Sequence, residues 1–342
     1  MFSRCGKRSP ERVGRAACAS RRVAVARAAR TGMGPASVRN GELARRPSRR
    51  WAWVAGRLLA AALVAGTPWR AGAIELGALW DFDDPARSEQ RLRDALGHAT
   101  GDDAFVLRTQ IARTFGLRGD FATAQDTLRG LEPLLPAAGD EARARYWLEL
   151  GRTYASAAHA PSSQTPETKA RARAAYDQAL QAARHGRLDD LTVDALHMFA
   201  FVDTAPAERL RWGLRALAVV QSSTQPSAQR WEASIRNNVG EALYDLGRYD
   251  EALAQFEQAV VLRERATNPR ATRAAAWMVG WTLRALQRTD EALAIQRRLE
   301  QENDAAGTPD ADVFEELELL YRTRGDEVLA THYAALKLAA QH

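Results

Sequence analysis

Residues 231–260 read WEASIRNNVGEALYDLGRYDEALAQFEQAV. In this stretch Gly240, Leu243, Gly247, Tyr249, Ala252, Phe256 and Ala259 are spaced as two helices joined by a tight turn. Antiparallel helices approach closely only where both carry small side chains. Gly240 and Ala252 therefore mark a crossing, and Tyr249 and Phe256 fill the space beside it. Asp245-Leu246-Gly247-Arg248 makes the turn: Gly247 accepts the positive φ that ends a helix, and Asp250 is expected to cap the next. The skeleton returns about forty residues later as Gly280, Leu283, Ala292 and Ile295, and such a period specifies an all-α stacked solenoid.

Working outward, Ala112, Phe115, Gly119, Phe121, Ala124 and Leu128 repeat the pattern, with Arg118-Gly119-Asp120 as the turn. So do Phe314, Tyr321, Gly325 and Ala330, with Arg324-Gly325-Asp326 as the turn. Trp147, Gly151 and Tyr154 form a first helix whose partner (Ala172, Tyr176, Ala179) starts late. Residues 156–168 between them have the composition of an inserted, exposed loop. The most degenerate unit is 188–223, where Ala200 and Gly213 are the small positions and Pro206 opens the second helix.

These residues, above all Gly-Arg-Tyr-Asp-Glu-Ala-Leu at 247–253, resemble the tetratricopeptide repeat, a helix-turn-helix family that binds peptides and protein segments. The resemblance implies a right-handed superhelical solenoid of about six pairs over 101–341, preceded by a lid and a capping helix in 74–100. Its packing positions would be Ala112, Ala124, Gly151, Ala172, Gly240, Ala252, Phe256, Ala259, Gly280, Ala292 and Ala330. First helices line the inner surface in this family. By that resemblance Arg113, Arg145, Arg152, His197, Phe201, Asn237, Glu241, Tyr244, Trp277, Trp281, Arg284 and Arg322 would face a peptide-binding groove. Trp277 and Trp281, four residues apart on one helical face, would either hold a ligand or pack between repeats. The family's lysine-rich clamp for a terminal carboxylate has no counterpart here. Leu79-Trp80-Asp81-Phe82-Asp83-Asp84-Pro85 resembles the opening of a group of exported bacterial proteins of this family. Trp80 and Phe82 are expected to pack as a lid, with Asp84 capping the helix that Pro85 begins.

Residues 1–73 carry sixteen Lys or Arg against two acidic residues, a net +14. Because the whole chain is +6, the remainder is −8, and the basic pI belongs to the leader. That balance argues against a nucleic-acid partner for the rest of the chain. Arg45, Arg46, Arg49 and Arg50, the apolar run Leu58–Ala65 and then Ala71-Gly72-Ala73 follow the order of a secretory signal cleaved after Ala73. The apolar run is too short for a stable membrane span. Met33 is the expected true start. A twin-arginine route and a mitochondrial transit peptide are the competing readings of the leader.

Both cysteines, Cys5 and Cys18, lie in the leader, so the mature chain would have no disulfide or cysteine–metal site. His98, His159, His185, His197, His332 and His342 share no metal-ligand helical spacing, and no phosphate loop or nucleophile elbow occurs. No cofactor and no enzymatic activity are expected. The acidic pairs Asp102-Asp103, Asp189-Asp190 and Glu315-Glu316 are expected at helix starts, where they complement the helix dipole. Together these features lead to the expectation of a non-catalytic scaffold that binds a protein or peptide in the cell envelope, the bacterial periplasm being the compartment expected from the leader's pattern. The competing readings are an accessory subunit of an enzyme complex, or a cytoplasmic regulator if the leader is no signal.

Overall fold

A computed structural model describes residues 74–266 and 268–340. The leader features, from Cys5 to the Ala71–Ala73 triplet, lie outside the described residues. Fifteen α-helices and three short 3-10 turns account for the regular structure, and no strand occurs among the described residues. After a single turn α1 (Leu76–Leu79) and a capping helix α2 (Pro85–Leu96) come six antiparallel pairs. They are α3 (Gly101–Leu117) with α4 (Phe121–Arg129), α5 (Asp140–Tyr154) with α6 (Pro166–His185), and α7 (Asp189–Met198) with α8 (Pro206–Ser222). A one-turn α9 (Pro226–Gln229) leads to α10 (Glu232–Asp245) with α11 (Tyr249–Arg265), α12 (Pro269–Ala285) with α13 (Thr289–Ala305), and α14 (Ala311–Thr323) with α15 (Glu327–Ala339). Each pair packs on the next, giving a right-handed superhelical solenoid. Its largest apolar core runs without a break from Ala144 in α5 to Leu320 in α14.

The small positions set the crossings. All the packing residues named above are buried. A Cβ at Gly240 would lie 2.6 Å from the Phe256 ring, and one at Gly151 would strike the Tyr176 ring. In the next pair the same place over Gly280 is taken by Gln296, where a Cβ would fall 2.7 Å from its amide nitrogen; Ile295 stands beside it. Gln296 is fully buried and neither amide atom finds a hydrogen-bond partner within the protein. In the degenerate unit, Gly213 is buried against Val239 of the following pair, whereas Ala200 is half-buried in the 3-10 turn Phe199–Phe201.

Turn chemistry repeats with the pairs. Gly247 has φ +74°, and the Arg248 N–H returns to the Leu243 carbonyl. One repeat on, Gln287 adopts φ +60° with the same bond from Arg288 to Leu283, a conformation that a side chain makes costly. Asp84, Asp120, Asp326 and Asn268 cap their helices through side-chain oxygens. Two cap expectations are corrected. Asp250 lies inside the first turn of α11, whose N-cap is Arg248. Glu315 and Glu316 lie in mid-α14, because Asp310 already caps that helix and Glu316 is drawn to Arg284.

The inserted segment is shorter than its composition suggests. Thr165 accepts from the Thr168 N–H and Pro166 opens α6, so residues 166–168 are helical. Its beginning is pinned: His159 stacks on Phe121 at 3.8 Å, and its Nε2 lies 3.0 Å from the Thr153 carbonyl oxygen.

Candidate functional site

The first helices α3, α5, α7 and α10 line a cleft of about 700 Å³. One wall is the segment from Ile74 to Phe82, another is Ser156–Ala158 of the insert, and the far end is Ser227, Arg230 and Trp231 around α9. Its floor is a row of alternating charges that ties three repeats together. Arg113 of α3 lies 3.4 Å from Glu149 of α5, Glu149 lies 2.5 Å from Arg152 one turn on, and Arg152 lies 2.5 Å from Asp194 of α7. The four side chains are only 13, 3, 14 and 7% exposed, so each charge depends on its neighbours.

Burial opposes the charge on Arg152, but the Asp194 and Glu149 carboxylates outweigh it and hold the guanidinium above its usual range. Burial likewise would raise Asp194, yet Arg152 and Arg113 hold it low. Arg113 is treated less well: burial and the like charge of Arg152 push it down, and its Nε has no acceptor. Burial pushes His197, next along α7, down to about 4. A neutral ring suits its surroundings, since the Asn238 amide nitrogen sits 2.8 Å from Nδ1 and can donate to it. Asp190 also lines the cleft, and burial raises its carboxyl pKa against the pull of Arg145.

Aromatic groups complete the lining. Phe201 and Trp231 flank His197, at 5.4 and 5.9 Å between ring centroids. At the opposite end Trp80 and Phe82 stack at 4.8 Å, with the Arg113 guanidinium 5.6 and 5.7 Å from their rings. The Trp80 indole donates to Gln110 Oε1 at 3.2 Å.

Of the expected groove residues, Arg113, Arg145, Arg152, His197 and Phe201 come together here. The others do not line this cleft. Asn237 is buried at 4% exposure, and its neighbour Asn238 turns toward the cleft instead. Trp277 is 9% exposed and donates its indole N–H to the Asp312 carbonyl of α14, so it packs between repeats. Trp281 stacks between it and Tyr244, at 5.6 and 3.4 Å. Arg284 is held by both oxygens of Glu316, at 2.7 and 2.9 Å. Glu241 is half-buried, and Arg322 is exposed beside Glu318.

Sequence reasoning missed Glu149, Asp194, Asn238, Arg230 and Trp231. A usable signal existed for two of them: Glu149–Arg152 and Asp194–His197 are spaced three apart, which places each pair on one helical face. For the others only the folded array shows which side faces inward. Among the described residues no group of three or more His, Cys, Asp or Glu is placed to hold a metal ion.

The family profile described as the tetratricopeptide repeat matches residues 231–300, the two pairs with the clearest spacing. Residues 231–300 carry tetratricopeptide repeats. Among curated proteins, none matches the chain's sequence significantly. Solved structures share the fold of its tetratricopeptide array. The apo form of RapI superposes with a TM-score of 0.58 at 12% identity, covering 73% of this chain and 70% of that one. A signal transduction ATPase with numerous domains from Pyrococcus horikoshii, which has a tetratricopeptide repeat sensor, gives 0.57 at 12%, covering 75% of this chain and 39% of its own. BtubC from P. vanneervenii gives 0.50 at 18%, covering 69% and 93%. At these identities the likeness is one of fold.

Proposed function

We propose that the chain is a non-catalytic binding scaffold that holds a peptide or protein segment in the cleft of its first helices. One observation carries this reading: the lining joins fixed guanidinium and carboxylate groups to aromatic walls in a concavity of about 700 Å³. Such a surface is preformed, because the buried floor charges are locked by neighbouring repeats, so binding costs little ordering. Arginines at the rim supply bidentate donors for guest carboxylates or carbonyls, and Trp231 and Phe201 supply apolar contact. The P. horikoshii protein's array is described as a sensor, which is compatible with recognition by this kind of surface. Export to the cell envelope belongs to the same proposal and rests on the leader's order of charge, apolar run and small residues. No helix among the described residues is long and apolar enough to cross a membrane.

The test is site-directed photo-crosslinking in cells. A crosslinker at Ser234, in the cleft, is expected to give a discrete protein adduct that the Arg145→Glu/Arg230→Glu double variant loses. A crosslinker at Val261, exposed on α11, is expected to give none. Equal labelling from both positions, or none from Ser234, would overturn the assignment of the cleft.

A further inference from the structure

The wall from Ile74 to Phe82 differs from the first helices around the cleft, each of which buries part of its length in the core. None of its side chains is buried, and α1 is a single turn. Its grip on the groove face rests on the Trp80–Gln110 hydrogen bond and on two rings laid against Arg113, while Ile74, Leu76 and Leu79 lean on the first apolar core. Elements held by few buried contacts open at low free-energy cost.

Arg113 is also left incompletely paired. Its one carboxylate contact, 3.4 Å to Glu149 Oε1, is to an oxygen that Arg152 already holds at 2.5 Å. Its Nε has no acceptor at all. The covering segment contains acids, yet it does not offer them here. Asp81 binds the Arg87 side chain and the N–H groups of Asp83 and Asp84, and Asp84 caps α2. The chain's own segment therefore gives Arg113 aromatic faces and withholds a carboxylate.

Resting on the scaffold reading above, we propose that Trp80–Phe82 is a displaceable self-ligand. The cognate guest is then an acidic segment with an aromatic residue beside a carboxylate. Its ring takes the place of Trp80 or Phe82, and its carboxylate pairs with the Arg113 Nε edge. A charge-assisted bond of that kind outweighs the ring contacts it replaces. Because the self-ligand is tethered, it competes at high effective concentration, and only a guest that adds the carboxylate displaces it well.

The experiment uses the full chain and a labelled heptapeptide copying residues 79–85, Leu-Trp-Asp-Phe-Asp-Asp-Pro, followed by fluorescence anisotropy. Free of the tether, this peptide can turn an aspartate toward Arg113. The Trp80→Ala/Phe82→Ala variant is expected to bind it at least about tenfold more tightly than the wild type, through loss of the tethered competitor. Adding Arg113→Gln to that variant should weaken binding by about tenfold or more, and so should a peptide with Asn in place of each Asp. Circular dichroism checks the fold; if the double variant loses helicity, Gln110→Ala, which removes the indole's acceptor together with a 3.3 Å bond to Thr109 Oγ1, takes its place with a smaller gain. Equal affinity for the wild type and the vacated variant, indifference to Arg113→Gln, or no binding by the vacated variant would overturn the self-ligand. A crosslinked guest at Ser234 would still stand in those cases, so the scaffold reading fails or survives separately.

Discussion

Arg113 and Arg152 stand one residue past Ala112 and Gly151; Glu241 and Trp281 stand one residue past Gly240 and Gly280. The same step of the repeat thus carries guanidinium groups in the first half of the array and a carboxylate and an indole in the second. In the first half, ion pairs running from α3 to α7 tie successive repeats together and leave a cleft above them. In the second, Tyr244, Trp281 and Trp277 stack face to face, and Arg284 is clamped by Glu316. Charged side chains need partners with fixed geometry and bring their polarity to the cleft, whereas rings satisfy one another by contact and close the space. One backbone pattern therefore yields a half that bears a cleft and a half that is braced.

The comparison breaks most directly at Trp277. Trp277→Ala should cost about 3–5 kcal/mol of stability, as large aromatic truncations in a core do. Adduct formation from Ser234 should nevertheless persist under conditions where the variant is folded. A variant that keeps its stability but loses the adduct would exchange the roles of the two halves. Urea unfolding followed by circular dichroism is the measurement.

Arg152→Ala should destabilise by roughly 3 kcal/mol, because it strands the buried Glu149 and Asp194. Arg284→Ala, at a more exposed pair, should cost nearer 1.5 kcal/mol. Similar costs for the two would mean that the charges of the first half are no better buried than those of the second.

The first half should also respond to pH. His197 has a folded pKa of about 4 against an unfolded value near 6.5, so the unfolded chain takes its proton first. The stabilisation linked to the neutral ring is present above about pH 6.5 and is lost as pH falls toward about 4, by roughly 1–3 kcal/mol. Asp194, held low, loses its share only below the ordinary carboxylate range, and Asp190, raised by burial, acts in the opposite sense. The informative measurement is the wild type minus His197→Gln, whose denaturation midpoint should fall less between pH 6.5 and 4. Parallel curves would show that His197 takes no part.

The smallest effect concerns the braced half. Gln287→Gly, at φ +60°, should stabilise by about 0.5–1 kcal/mol by relieving the left-handed backbone that Gly247 adopts freely in the preceding turn. An unchanged melting temperature would show that the turn's strain is already relieved.

Much of the fold was legible in the sequence because its determinants are local. Gly240, Gly247 and Ala252 announce a crossing and a turn within a dozen residues, and their period announces the stack. The cap at Asp250 misread the same kind of signal by two residues, since several acids near a helix start look alike until the backbone chooses its first turn. The cleft was legible only in part. Arg113, Arg145 and Arg152 follow from the repeat register, but Asn237 and Asn238 are neighbours in sequence, and a rotation of about 100° per residue decides which is buried.

The sequence by itself determined that helix pairs stack, where they turn and which small residues let them touch, because those outcomes depend on side-chain size at fixed helical spacing. Only the tertiary structure decided that Glu149 and Asp194 lock the arginines in place, that Trp277 and Trp281 brace the array, and that Trp80 and Phe82 cover Arg113. Apart from Glu149–Arg152 and Trp277–Trp281, which share a helix, these are pairings between residues tens of positions apart, and the partner of a charge or a ring is set by the superhelix that brings the repeats together.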